Sequence, residues 1–401
     1  MIVGDSPTYW IGLDDTDERE SGCTTHDFND LLNHLTASGF EIEDPRLVRL
    51  WPFAPRRTRG NAALSASITA GADSVGLESC LDEWFVARFA DFIPGNESHS
   101  AQPVLLMTNG SLPESIYWNT VRNFVELELR ISELEPHPHR VWSTSAGLGG
   151  LIGASAAIAW QGGSDFTWEC TAWRDNTGHR KVPIALVEKM AELFPTTFMN
   201  RDPNANHSLI APRTPCPVLY GIRGESEQGV LQAHEYLQEN GAEYSIDYRV
   251  HRSNQATDDH LLESEIGTVQ CIRIMQGGHV EIDVGRTLIS FSQGSELNKL
   301  AQNIIAGDRI EWYGLTNLDG SIHLERLRLL RGERNRRRPN CNCGHRFKSQ
   351  GKNQPLRCPK CSSTHADVWC SEIIDSEWTE PPPAHRRHLS KPLSRVGKSE
   401  V

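Results

Sequence analysis

The residues best suited to chemistry stand near the start of the chain: Asp14, Asp15 and Asp17, followed by Thr24 and Thr25. A short apolar run, residues 9–13, reads as a buried strand that ends in three carboxylates within four residues. Carboxylates crowded at a strand end repel one another. They become tolerable around a divalent cation, because hard oxygen ligands suit Mg²⁺ held jointly with substrate phosphates. The hydroxyl pair precedes an amphipathic stretch, 28–35, and so falls where a helix begins and backbone N–H groups favour phosphate. Asp and Thr also form strand-end turns and cap helices. Three acids with a downstream Thr-Thr favour the metal–phosphate reading.

Further polar groups follow at the ends of other predicted strands. Arg56, Arg57 and Arg59 lie in a loop with Gly60 and Asn61, a set that suits a phosphate or simply a solvated loop. A Gly-rich turn, 147–153, includes Gly150 and Gly153 and runs into small residues. It would let amides approach a phosphate or let a helix pack closely, and with no Lys-Ser/Thr after it, it is not a Walker motif. A second apolar strand, 218–222, ends in Arg223, Glu225 and Ser226 before a helix, mirroring the Asp14–Asp17 arrangement. Ser226 also fits a helix cap. Residues 254–260, with Asp258, add polar side chains after another strand.

Four of the ten cysteines pair as Cys341-x-Cys343 and Cys358-x-x-Cys361, separated by a 14-residue polar loop. Two tight thiolate turns fit a structural tetrahedral Zn²⁺. The first pair is one residue shorter than usual, which leaves His345, His365 and Cys370 as substitutes for one thiolate.

The elements that must position these groups alternate. Residues 9–110 read β-α-β-β-α-β, the split order of a ferredoxin-like sandwich, and a long helix is predicted over 114–134. Residues 141–262 repeat the α/β alternation. From 263 five strand candidates with a helix at 296–305 give the layout of an OB-fold, with another small barrel or sandwich as the alternative. The chain has 401 residues and a formal charge of −12. Residues 331–401 hold 15 Lys and Arg against 7 Asp and Glu, whereas the other 330 hold 25 against 45. An acidic body with a basic end concentrates polyanion contact at that end, unless the basic segment is merely a solvated tail. No apolar stretch reaches membrane-spanning length and the start lacks signal-peptide character, so a cytoplasmic protein with reduced cysteines is expected.

Taken together, the segments at Asp14–Asp17 and Cys23–Thr25, Thr58–Asn61, Gly150–Gly153, Pro215–Ser226 and Ala256–Asp258 resemble an archaeal tRNA-modifying family. The ribbon cysteines and the tail Pro383–Pro392 extend that match. The family is tRNA(Ile) 2-agmatinylcytidine synthetase, and the likeness runs in order from about residue 9 to 395. It implies a multidomain α+β chain: ferredoxin-like and kinase-like α/β N-terminal domains, an OB-fold β-barrel and a C-terminal zinc ribbon. The corresponding ranges are 1–135 (catalytic, kinase-like), 136–262 (completing the catalytic and ferredoxin-like domains), 263–332 (OB-fold), 333–372 (ribbon) and 373–401 (basic extended tail).

The resemblance also implies ATP, Mg²⁺ and Zn²⁺ as cofactors. Its substrates would be agmatine and an isoleucine tRNA with a CAU anticodon, and no protein partner is implied. Thr24 maps to the family's autophosphorylated threonine, and Asp14, Asp15 and Asp17 to its metal-binding and catalytic acids. Arg59, Gly60, Asn61, Gly150, Gly153, Arg223, Glu225 and Ser226 are expected at the nucleotide, Glu225 and Asp258 at agmatine, and Cys341, Cys343, Cys358 and Cys361 at zinc. Two alternatives are a related RNA modifier using another amine and a non-catalytic RNA-binding protein. The latter would have no use for three clustered acids facing a polyanion.

Overall fold

The computed structural model describes residues 8–18, 22–58, 60–69, 74–90, 101–163, 165–175, 178–204 and 207–397. The chain divides into two units, 1–261 with 382–401, and 262–381.

The first unit begins with β1 (Thr8–Asp14), α1 (Thr24–Ala37), β2 (Glu41–Arg49), β3 (Ala62–Thr69), α2 (Ser74–Phe89) and β4 (Val104–Asn109). The order β-α-β-β-α-β read from periodicity is the order of these elements. Their strands pair antiparallel as β4-β1-β3-β2. In β1 the alternation sorts the faces: Ile11 and Leu13 pack with Phe28, Leu31, Leu32 and Leu35 of α1. Each such buried side chain contributes about 1.5–3 kcal/mol. Gly12 faces the other way. A Cβ there would lie 2.4 Å from the carbonyl oxygen of Ala154, so the glycine lets a helix lie directly on the strand.

That helix is α5 (Leu151–Ala159), reached through α3 (Glu114–Arg122), α4 (Leu127–Leu134) and β5 (His139–Ser143). The single helix expected over 114–134 is two, because Asn123 is extended (φ −139°, ψ 165°) and residues 123–126 form a connector. β5 pairs along β4.

The sheet then continues. β6 (Thr167–Trp173), α6 (Ile184–Leu193), β7 (Thr197–Phe198), β8 (Arg201–Asp202), β9 (His207–Ser208), β10 (Val218–Gly224), α7 (Glu227–Glu239) and β11 (Asp247–Ser253) follow. The full order is β5-β4-β1-β3-β2-β11-β6-β10-β7, nine strands in one sheet. The halves meet where β11 runs parallel to β2, with Arg252 opposite Arg46 and Ser253 opposite Leu47. Asn254 secures this seam by accepting from the amide of Arg49 (2.7 Å) and donating to its carbonyl (2.9 Å).

The second unit holds β12 (Glu265–Thr268), β13 (Cys271–Ile274), β14 (Val280–Asp283), β15 (Thr287–Ser290), α8 (Glu296–Asn303), β16 (Arg309–Thr316) and β17 (Ile322–Arg337). Its order is β12-β16-β17-β15-β14-β13. The neighbouring strands β12 and β13 stand at opposite ends of the order, which curls the sheet around Val280, Ile310, Trp312 and Leu327. Beyond it lie β18 (Leu356–Arg357), β19 (Thr364–His365) and β20 (Cys370–Ile374), the last pairing with the extension of β17. Among the described residues no helix is long and apolar enough to cross a membrane.

Candidate active site

The C-terminal end of β1 opens onto two neighbouring cavities of about 400 and 350 Å³. The first is lined by Asp14, Asp15 and Asp17, by Arg56 and Arg57, and by an apolar wall that includes Leu50, Trp51, Phe124 and Ile152. The second is lined by Cys23, Thr24, Thr25, Arg49, Glu169, Arg223 and His388. Asp17, Thr58, Asn61 and Ala62 belong to both walls.

The carboxylates differ in setting. Asp14 is driven up well above the ordinary carboxyl range, first by burial and then by the charges of Asp15 and Asp17. Asp15 takes a left-handed φ of 58°, which turns its Oδ2 to the amide of Gln102 (3.0 Å). Burial pushes its pKa up to about 7, against the opposing pull of that hydrogen bond and of Arg56. Asp17 accepts from the hydroxyls of Thr24 (3.2 Å) and Thr58 (2.9 Å). Thr24 begins α1 and is buried beside Thr16, whose hydroxyl lies 3.3 Å away and donates to Asp27 (2.6 Å). A hydroxyl bonded to a carboxylate at a helix start is the arrangement of an activated oxygen nucleophile.

The glycines of α5 press on the acids. A Cβ at Gly150 would lie 2.6 Å from the carbonyl oxygen of Asp14, and one at Gly153 only 1.9 Å from its Oδ2. The turn packs closely, and what it packs against is Asp14 itself.

In the second cavity Glu169 is 4 % exposed and meets Arg223 (Nε, 3.5 Å), Arg49 (Nη2, 3.9 Å), Gln255 and Thr171. Burial raises its pKa, but Arg223 and Arg49 outweigh that and hold the carboxyl below its usual range. Opposite, Arg180 staples the loop forming one wall. Its guanidinium donates to the carbonyls of Pro212 (2.7 Å), Thr214 (3.1 Å), Cys216 (2.9 Å) and Val218 (2.8 Å).

The other expected residues fall as follows. Gly60 lines the second cavity and Asn61 both, with a left-handed φ of 45° at Asn61. Arg59 lies outside the described residues. Gly153 lines the first cavity, Gly150 caps the adjoining helix, and Arg223 lines the second cavity. Ser226 is the N-cap of α7, accepting from Gly229 (3.2 Å). Glu225 is ion-paired with Arg395 (2.9 Å), and Asp258 accepts the amide of Lys391 (2.6 Å); neither is among the residues lining the two cavities. Glu169, Arg49 and His388 were not singled out from sequence. Glu169 carried a signal, as the one ionisable carboxyl in the strand Thr-Trp-Glu-Cys-Thr-Ala-Trp.

In the second unit the sulfur atoms of Cys341, Cys343, Cys358 and Cys361 lie within 4.8 Å of one another. The short first pair therefore does not keep its thiols from converging. His345 stands 4.0 Å from Cys343 Sγ, outside that group. Within this cluster hydrogen bonding from Ser363 holds Cys361 down to about 6, while Cys343, against a hydrogen bond from the His345 backbone, is pushed up to about 11 by the neighbouring thiols.

Comparison with known proteins agrees along the chain. Family models match residues 10–77 (TiaS TCKD domain), 149–260 (TiaS FLD domain) and 338–373 (TiaS C-terminal zinc ribbon domain). The tRNA(Ile2) 2-agmatinylcytidine synthetase TiaS of Methanocorpusculum labreanum is 31% identical over 96% of this chain and 96% of its own. Among solved structures, apo TiaS (tRNAIle2 agmatidine synthetase) superimposes with a TM-score of 0.78 at 28% identity, covering 97% of this chain and 98% of that one. The TiaS–tRNA(Ile2)–ATP complex gives 0.77 at 29% identity, covering 98% of each. On this full-length likeness the chain belongs to the tRNA(Ile2) 2-agmatinylcytidine synthetase family.

Proposed function

We propose that the protein uses ATP and agmatine to convert the wobble cytidine of an isoleucine tRNA with a CAU anticodon to 2-agmatinylcytidine. The observation that carries this reading beyond family membership is the Thr24–Asp17 pair on the wall between an acid-and-arginine cavity and a second polar one. ATP occupies the first cavity, its base against Trp51, Phe124 and Ile152 and its phosphates toward Arg56 and Arg57. Asn61 borders it from the same loop, and Gly150 and Gly153 bring α5 up to Asp14. Asp14 is raised first by burial and then by the like charges of Asp15 and Asp17, and a divalent cation would offset those charges. Asp14, Asp15 and Asp17 would hold Mg²⁺, which would neutralise phosphate charge when bound.

The cytosine leaves the anticodon stack, at a cost of a few kcal/mol that is least in a single-stranded loop, and enters the second cavity. Its O2 receives a phosphoryl group originating in ATP, with Thr24 as the residue phosphorylated on the way and Asp17 as the acceptor of the hydroxyl proton. The C2–O bond then breaks as the agmatine amine forms the C2–N bond, and phosphate departs, taking up the protons that the amine releases. Glu169 is the buried acid facing that space and the group we assign to the cationic amine, in place of Glu225 and Asp258, whose carboxylates hold the C-terminal segment. The curled sheet of 263–332 we assign as an OB-fold gripping RNA, with Zn²⁺ on the four cysteines beyond it.

Mass spectrometry of the unmodified tRNA after incubation with protein, ATP, Mg²⁺ and agmatine tests this. An agmatine adduct confined to the wobble cytidine is expected. ATP turnover without an adduct would redirect the reading to another amine or acceptor, and neither event with folded protein would overturn it.

A further inference from the structure

The chain's last described segment, 382–397, lies beyond every matched domain and returns to the first unit. Two of the charges in this basic segment are committed. Arg395 is 6 % exposed, with Nε 2.9 Å from both oxygens of Glu225, Nη2 2.7 Å from Asp165 and Nη1 2.7 Å from the carbonyl of Ala256. Lys391 Nζ meets the same Asp165 at 2.8 Å. Backbone bonds run alongside: Ala256 donates to the carbonyl of His388 and Asp258 to that of Leu389, both at 2.9 Å. Leu389 is buried in the apolar cluster that also holds Val48, Leu50 and Tyr117. So latched, the segment sets the half-buried His388 ring on the wall of the second cavity, beside Gly60, Arg49 and Arg223.

Arg49 and Arg223 can only donate hydrogen bonds. Glu169, assigned above to the cationic amine, also serves Arg49, Arg223, Gln255 and Thr171, and Asp17 serves Thr24 and Thr58, so a further acceptor has room to act. We propose that residues 382–397 form a strap that completes the acceptor side of the site, and that His388 on it is a positioning residue accepting a hydrogen bond from an N–H of the bound substrate. This rests on the agmatine-transfer reading. The N–H is either the 4-amino group of the flipped cytosine or the amine of agmatine. Burial, with Arg49 and Arg223 next to it, holds His388 well below its ordinary pKa, so the ring keeps a lone pair to offer.

The full-length variants His388→Gln, which keeps an acceptor, and His388→Phe, which keeps the ring, test the contact; Arg395→Ala tests the latch. His388→Phe is expected to lose about tenfold to hundredfold in kcat/KM, the usual consequence of a polar group left unpaired, and His388→Gln to regain most of it. Arg395→Ala should lose as much while ATP affinity stays within about twofold. A raised KM for agmatine assigns the N–H to the amine. A lost preference for binding the tRNA with cytidine over uridine at the wobble position assigns it to the base. That binding comparison needs no turnover, so it reads the contact even where the wild type forms no agmatine adduct, an outcome that would count against the function reading alone. Equal losses in the Gln and Phe variants, or neither KM nor base preference moving, would overturn the role of His388. Wild-type rates in Arg395→Ala would overturn the strap.

Discussion

Gly153→Ala puts the acid cluster under direct test. An added Cβ would lie 1.9 Å from Asp14 Oδ2, 2.6 Å from its Cγ and 3.0 Å from Leu50 Cδ1. The carboxylate is a side-chain end and must retreat by roughly 1.5 Å to restore van der Waals contact, and a misplacement of about 1 Å in a reacting site can already cost about 10²-fold. Stability should suffer far less. Overpacking costs about 1–3 kcal/mol, and replacing a helical glycine by alanine returns about 1 kcal/mol. The melting temperature should therefore fall by no more than a few degrees, while Mg²⁺-dependent ATP binding, followed by calorimetry, and phosphorylation at Thr24, followed with labelled ATP, should fall by about two orders of magnitude. The double variant with Asp14→Ala gives the decisive comparison. If alanine acts by displacing the carboxylate, adding it to Asp14→Ala should cost nothing further. Losses that multiply, or a single Gly153→Ala variant as active as wild type, would refute the argument.

Other outcomes follow from the same geometry. Asp15 has a folded pKa of about 7 against an ordinary 3.8, so folding binds a proton there: its stabilising contribution is complete at low pH and is lost as pH rises through about 7. Cation binding needs the ionised form, so Mg²⁺ should raise the melting temperature more at pH 8 than at pH 5.5; equal increments would contradict the assignment. Arg180→Ala frees the 212–218 loop and should raise KM for tRNA or agmatine about tenfold with ATP affinity unchanged, as steady-state kinetics would show; an unchanged KM would mean the loop holds without its staple. Cys358→Ser should abolish zinc retention, measured by elemental analysis, and weaken tRNA binding while ATP binding persists; full tRNA affinity without zinc would remove the ribbon from RNA recognition.

Local signals in the sequence carried a good deal of this. The acids after residues 9–13 stood out because an apolar strand has no structural use for three of them, and the thiol pairs because their spacing makes turns. The β-α-β-β-α-β order was legible because Ile11 and Leu13 alternate on a period of two while Phe28, Leu31, Leu32 and Leu35 recur on a helical one. The joining of the two halves into one sheet was not. The seam is a parallel pairing of two residue pairs, held by polar contacts such as Asn254 to Arg49, between positions about 200 apart in sequence. The docking of the tail was hidden for a related reason. Counting its arginines and lysines says nothing of Asp165 and Glu225, which lie in another part of the chain and take up Arg395 and Lys391.

That seam is also what makes a second cavity. Glu169 sits on β6 and Arg49 ends β2, and only because β11 lies between those strands, paired to both, do the two side chains come within 3.9 Å. Asn254, fully buried and bonded to both backbone groups of Arg49 and to the hydroxyl of Tyr117 (2.8 Å), fixes the strand end at which this happens. Ala256 and Asp258, next along the chain, receive the returning strap. One short segment thus ties the acid-bearing half, the Glu169 strand and the C-terminal strap to a single frame. A reaction that joins a nucleotide phosphate, a flipped base and a free amine needs such a frame, since its rate depends on holding three reacting centres in one geometry.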